Sequence, residues 1–148
     1  MAGPPSVRWL RAHLGRRGTF LLIVGTGQLV WGLQFLLDPV PNAQGLSLLT
    51  STAPLHAWCW LWMVAGAAAV VSSLVKVGRD WAGFAASLAP PIVWLGAYLT
   101  AALSGDYSRG LWVAGYYGTI HVGVLLWASA TPEFSVPHPP APRDGEER

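Results

Sequence analysis

Four apolar stretches, each long enough to cross a bilayer, constrain this chain more than any motif does: residues 19–37, 55–75, 81–103 and 110–130. Hydrocarbon about 30 Å thick calls for roughly 20 helical residues at about 1.5 Å each, and every stretch is of that order. With 11% charged residues and a mean hydropathy of +0.42, a soluble fold of 148 residues would have too little polar surface to stay dissolved. The expected fold is an all-α membrane protein, an antiparallel bundle of four transmembrane helices. A basic segment, 1–18, precedes the bundle, and a Pro-rich charged tail, 131–148, follows it.

Eight of the nine Lys and Arg residues fall on one side once the spans are drawn. Arg8, Arg11, Arg16 and Arg17 precede the first span, Lys76 and Arg79 separate the second from the third, and Arg143 and Arg148 follow the fourth; Arg109 alone lies on the other side. Short loops rich in Lys and Arg stay cytoplasmic. The expectation is a multi-pass protein of the cytoplasmic membrane with both termini inside. The net charge of +2 and pI near 9.0 come from the juxtamembrane N-terminus, which reads as an orientation signal drawn to anionic headgroups rather than as a nucleic-acid surface. A signal peptide has an apolar region of about 7 to 15 residues, whereas the first stretch runs to Leu37, so it reads as a span. Cys59 is the single cysteine and can form no intrachain disulfide.

Along the chain, Val7, Leu10 and Leu14 at helical spacing suit a short helix lying in the inner interface; a basic flank that only obeys the charge rule is the equal alternative. Gly15 and Gly18 let the chain turn into the first span, and Asp38-Pro39 ends it. Leu46, Leu48 and Leu49 in the outer loop suggest a turn resting on the membrane surface. Asp80 is placed to cap the third span and Ser108 the fourth, while Gly105 can take the left-handed conformation that closes the third. The prolines from Pro132 to Pro142 predict an extended cytoplasmic tail, with a Pro-rich ligand for a partner domain as the alternative.

Most of the nine tryptophans fall where headgroups collect amphipathic rings: Trp58, Trp60, Trp62 and Trp112 outside, Trp9, Trp81 and Trp127 inside, leaving Trp31 and Trp94 for core packing. Small residues recur at helix-packing intervals: Gly18, Gly25 and Gly32 on the first span, Ala65, Ala69 and Ser73 on the second, Gly115, Thr119 and Gly123 on the fourth. Such stripes let backbones approach closely, either within one bundle or between copies in a homo-oligomer.

Polar groups inside the spans are the candidates for chemistry. Gln28 lies ten residues in from Asp38 and His121 twelve in from Arg109, so both reach mid-membrane depth, where strongly polar side chains are costly and turn toward the bundle interior. A Gln28 to His121 hydrogen bond locking spans one and four is the plain expectation; a handled proton or a bound ligand is the alternative. Gln34, His56, Tyr116 and Tyr117 would continue a polar track outward. Pro90-Pro91 should break or bend the third span and free backbone carbonyls. His56 and Cys59 are too few ligands for a metal, and no phosphate loop, nucleophile elbow, zincin motif or intraspan carboxylate pair is present, so neither enzyme activity nor cofactor nor metal is expected.

The string from Arg8 to Gly18, the outer run from Gly105 to Trp112 and the tail from Pro132 to Pro140 resemble the small four-span membrane proteins encoded by actinobacteria and their phages. Among phage proteins of this size and topology the holin is the class it most resembles, in its short loops, small-residue faces and charged cytoplasmic tail. That resemblance implies an oligomer that permeabilises the cytoplasmic membrane. A small-molecule or proton-handling membrane protein built on Gln28, His121 and the proline pair is the second reading, and a membrane scaffold using the tail is the third.

Overall fold

The computed structural model describes residues 5–38, 43–75 and 79–132, with side chains from Leu14 onward. The tail beyond Pro132, the Lys76 to Gly78 turn and the side-chain faces of the N-terminal segment, Trp9 included, lie outside the described residues. The described residues hold helices and no strand: α1 (Pro5–Leu37), α2 (Ser47–Thr52), α3 (Leu55–Ser73), α4 (Trp81–Leu103), then α5 (Gly110–Tyr116), a π-helical stretch (Tyr117–Gly123) and α6 (Val124–Ala130). Four helical runs are long and apolar enough to cross a membrane, namely Leu14–Leu37, Leu55–Ser73, Trp81–Leu103 and Gly110–Ala130.

Within α1, Gly15 has φ 59° and ψ −171°, which separates the N-terminal helix from the first span. A residue with a Cβ is strained there, so glycine makes the turn at little cost. Gly105, at φ 81°, ends α4 as expected.

α1 packs along α3, α3 against α4, and α4 against the fourth span. The first pairing follows from the glycines. A Cβ on Gly18 would sit 2.6 Å from the Ser73 carbonyl, one on Gly25 2.7 Å from the Gly66 carbonyl, and one on Gly32 3.0 Å from Met63. Absence of side chains therefore lets the two backbones touch along the whole seam, with Ala65, Ala69 and Ser73 buried on the facing side. Between helices in lipid this close packing supplies much of what a hydrophobic drive supplies in water. The stripe on the fourth span is different: Gly115 and Thr119 are exposed, and a Cβ at Gly115 would meet nothing within 4 Å.

Two apolar clusters fill the interior. One joins Leu21, Ala69, Phe84, Leu125 and Ala128. The other joins Phe35, Leu46, Leu49, Cys59, Trp62, Trp94, Ala97 and Tyr117. Leu46 and Leu49 are thus buried in the bundle while Leu48 stays exposed, and Trp58 Nε1 donates to the Leu49 carbonyl at 3.0 Å. Trp62 likewise belongs to this core at 3% exposure, not to the outer belt. Trp60, Trp81, Trp112 and Trp127 are exposed.

Two expected helix caps are absent. Neither Asp80 nor a serine caps through its side chain; the residue flanking α5 is Arg109, also without a cap bond. The Asp80 carboxylate is taken by Arg17 instead. A charge-assisted, forked bond to a guanidinium is stronger than a single bond to a backbone N–H.

Candidate functional site: a cleft between the first and fourth spans

Pro91 has no N–H to give the carbonyl four residues earlier, which belongs to Ser87. α4 nonetheless continues as one helix through Pro90 and Pro91, both buried, so the pair does not break it. From α1, Gln28 Nε2 donates to the Ser87 carbonyl at 2.8 Å, in place of the bond that Pro91 removed. Gln28 is therefore committed to α4 and not to His121, correcting the expected bond between spans one and four. That commitment also orients the amide. With Nε2 on a carbonyl, Oε1 can only accept, and it has no partner although Gln28 is 5% exposed.

The fourth span recedes from α1 at this depth. α1 meets it through α6, while α5 and the π-helical stretch pack against α4. The gap is a cleft of about 430 Å³. Its walls are Phe20, Val24, Gly27, Gln28 and Trp31 of α1, Trp62 of α3, and Tyr116, Tyr117, Ile120, His121, Val124 and Leu125 of the fourth span. Gln28, His121, Tyr116 and Tyr117 are thus gathered as the sequence suggested. Gln34 and His56 are exposed and do not join the lining, and the Cys59 thiol is buried, donating to the His56 carbonyl at 2.6 Å.

The π-helical stretch shapes the far wall. Bonds from i to i+5 widen the turn, so that residues four and five apart both come over one another. His121 accordingly stacks on Tyr117 with ring centroids 5.0 Å apart and meets Tyr116 edge-on at 5.4 Å. Tyr117 stacks in turn on Tyr98 at 6.0 Å, and Tyr98 meets Tyr107 at a 44° tilt at 6.2 Å, an aromatic file leading from the loop before α5 into the fourth span. On the α1 side Trp31 meets Phe35 and Trp62 edge-on.

The spans are clamped together at the Arg17 end. Arg17 bonds Asp80 through Nε at 2.7 Å and Nη2 at 3.3 Å, and Nη1 donates to the Ser129 carbonyl at 2.6 Å and the Thr131 carbonyl at 3.1 Å. The guanidinium also lies 4.7 Å from the Phe84 ring centroid. One side chain thereby ties the start of span one to the start of span three and the end of span four, where carbonyls left over by the helix carry partial negative charge. Sequence reading assigned Arg17 to orientation alone. Ser87 and Trp62 were also missed; the first was legible by counting four residues back from Pro91, the second was not.

Trp62 Nε1 and Ser87 Oγ are, with Gln28 Oε1, buried polar atoms without a hydrogen-bond partner. Two of the three belong to residues lining the cleft. The class these features define is a multi-pass helical membrane protein with a mostly apolar, mid-span cleft between its first and last spans. No protein-family model, no curated protein and no solved structure matches the chain.

Proposed function

We propose that this is a non-enzymatic, multi-pass protein of the cytoplasmic membrane, an antiparallel four-span bundle with both termini inside, that holds a small hydrophobic molecule in the cleft between spans one and four. The observation that carries this reading is a cleft of about 430 Å³ in which Gln28, His121, Tyr116 and Tyr117 are gathered among apolar side chains. A volume within the roughly 300–1,000 Å³ of ligand sites, apolar walls and a few placed polar groups are what such sites have in common. Gly27 provides the test. It lines the cleft, and a Cβ there meets nothing within 4 Å, so Gly27→Leu fills the space without disturbing helix contacts. Extracts of purified wild-type protein should contain a hydrophobic molecule, read by mass spectrometry, that Gly27→Leu lacks at unchanged thermal stability. Equal content in both proteins rules the cleft out as a binding site.

A holin-like oligomer is the second reading, favoured by the Gly115 and Thr119 face, which the described residues leave open to a second copy. The stripes on spans one and two are consumed within the bundle and no longer speak for it. Induced expression with a separately supplied cytoplasmic endolysin should then give abrupt, timed lysis that Gly115→Leu delays or abolishes. Persistent membrane potential at high expression, with a monomer in mild detergent, removes this reading.

A further inference from the structure

Resting on the reading that the cleft holds a ligand, we propose that its occupant is a flat, uncharged molecule with a conjugated ring, which stacks on the His121 imidazole as the next member of a column of rings. Tyr98 of α4 and His121 each lie nearly parallel to Tyr117, at 20° and 25°, with centroids 6.0 and 5.0 Å from it. They make no ring contact with each other, so they take its two faces. Tyr98 is absent from the cleft lining, whereas Tyr117 and the half-buried His121 belong to it, so the column runs from α4 toward the cleft and His121 is its end. Tyr116 does not cover that end. Standing edge-on, it is 5.4 Å from His121 and 6.1 Å from Tyr117, nearly the same from each, and therefore flanks the pair. Among the described residues no other ring meets His121, and the next place in the column falls to whatever fills the cleft. The remaining walls suit the same molecule. Five of the twelve lining residues are Phe, Trp or Tyr, which make up only 11% of the chain. On the α1 side Trp31, 40% exposed, meets Phe35 and Trp62 edge-on, so no ring stacks on it either. No Lys, Arg, Asp or Glu is among the lining residues, so a charged ligand would enter hydrocarbon without a counter-ion. A conjugated ring gains from such faces through its quadrupole as well as its area, while a saturated ring of the same outline gains area alone.

The test compares three competitors: anthracene, its fully hydrogenated counterpart and tetrapropylammonium. Full-length protein in lipid nanodiscs is photolabelled with an azide-bearing anthracene, crosslinked peptides are mapped, and competitors are compared at equal concentration in the bilayer. Label is expected on the peptides carrying Trp31 and His121, with anthracene competing about twofold to about tenfold better than the hydrogenated compound, the equivalent of one aromatic pair. His121→Leu should erase that advantage and leave competition by the hydrogenated compound unchanged, while His121→Phe, which restores a ring, should keep it. Equal competition by the two hydrocarbons overturns the ring assignment and leaves the apolar cleft standing, as does an advantage that survives His121→Leu. Strongest competition by tetrapropylammonium overturns it equally, making the rings a cage for a cation. Labelling that no competitor displaces, or that Gly27→Leu does not reduce, removes the cleft reading itself. The competitor series needs no variant, so a misfolded His121→Leu would not blunt it.

Discussion

Gln28 illustrates how one side chain mends a defect that another creates. Pro91 strips the Ser87 carbonyl of its helical donor, and an unpaired carbonyl inside a membrane is costly enough that helices with such gaps recruit neighbours. The Gln28 amide is the recruit, at 2.8 Å. Gln28→Leu should therefore lower stability by about 0.6 kcal/mol, reaching at most about 1.7, the range of intramembrane hydrogen bonds. In a Pro91→Ala background the restored N–H supplies the carbonyl, and the same Gln28→Leu change should cost close to nothing. Denaturation in mixed micelles across this double-mutant cycle measures the coupling; strict additivity would mean that Gln28 does not serve Ser87. The existence of a freed carbonyl was legible from Pro91 alone, since the i−4 rule is local. Its donor was not, because 59 residues separate Gln28 from Ser87.

Helix faces show the same division at the next scale. All three glycine or alanine stripes look equivalent as spacing, yet only those of α1 and α3 meet each other, with Gly25 and Gly66 backbone against backbone. Gly66 itself lies beside the Ala65 and Ala69 spacing and carries the closest approach. A methyl at Gly25 or Gly66 has nowhere to go, and overpacking of this kind costs about 1–3 kcal/mol. Gly25→Ala and Gly66→Ala should each lower the unfolding midpoint in detergent, whereas Gly115→Ala, in open space, should leave it unchanged or raise it through better helix propensity. A destabilising Gly115→Ala in the monomer would show that the fourth span packs differently. The π-helical stretch is another feature of element scale with no sequence signature. It seats Tyr116 and Tyr117 against His121 on one wall of the cleft.

For the molecule as a whole, charge asymmetry sets the orientation proposed above. In a variant lacking Cys59, a thiol at Gln44 should be labelled by an impermeant reagent from outside intact cells, while thiols at Gly78 and Gly145 stay protected until the membrane is opened. Outside labelling of Gly145 would contradict an even number of crossings. Arg17 belongs to this scale as well as to that of the residue. It is a member of the basic flank on which the proposed orientation rests, and through Asp80 and the Ser129 and Thr131 carbonyls it ties three spans together at one end of the bundle.

What the sequence by itself determined were the properties that depend on a local run of residues. Four lengths of apolar chain, the turns at Gly15 and Gly105, the proline pair and the sidedness of charge each follow from bond geometry or transfer energies that no distant residue alters. Tertiary structure alone decided which face of each span meets which. A helix destined for lipid is apolar all round, so it lacks the stripe of contrast that tells a reader of a soluble helix which side is buried. For the same reason the partners of Gln28 and Arg17, the burial of Trp62, Leu46 and Leu49, and the gap between the first and fourth spans came only from packing, where close backbone approach and the pairing of a few polar atoms choose among faces that hydrophobicity leaves equivalent.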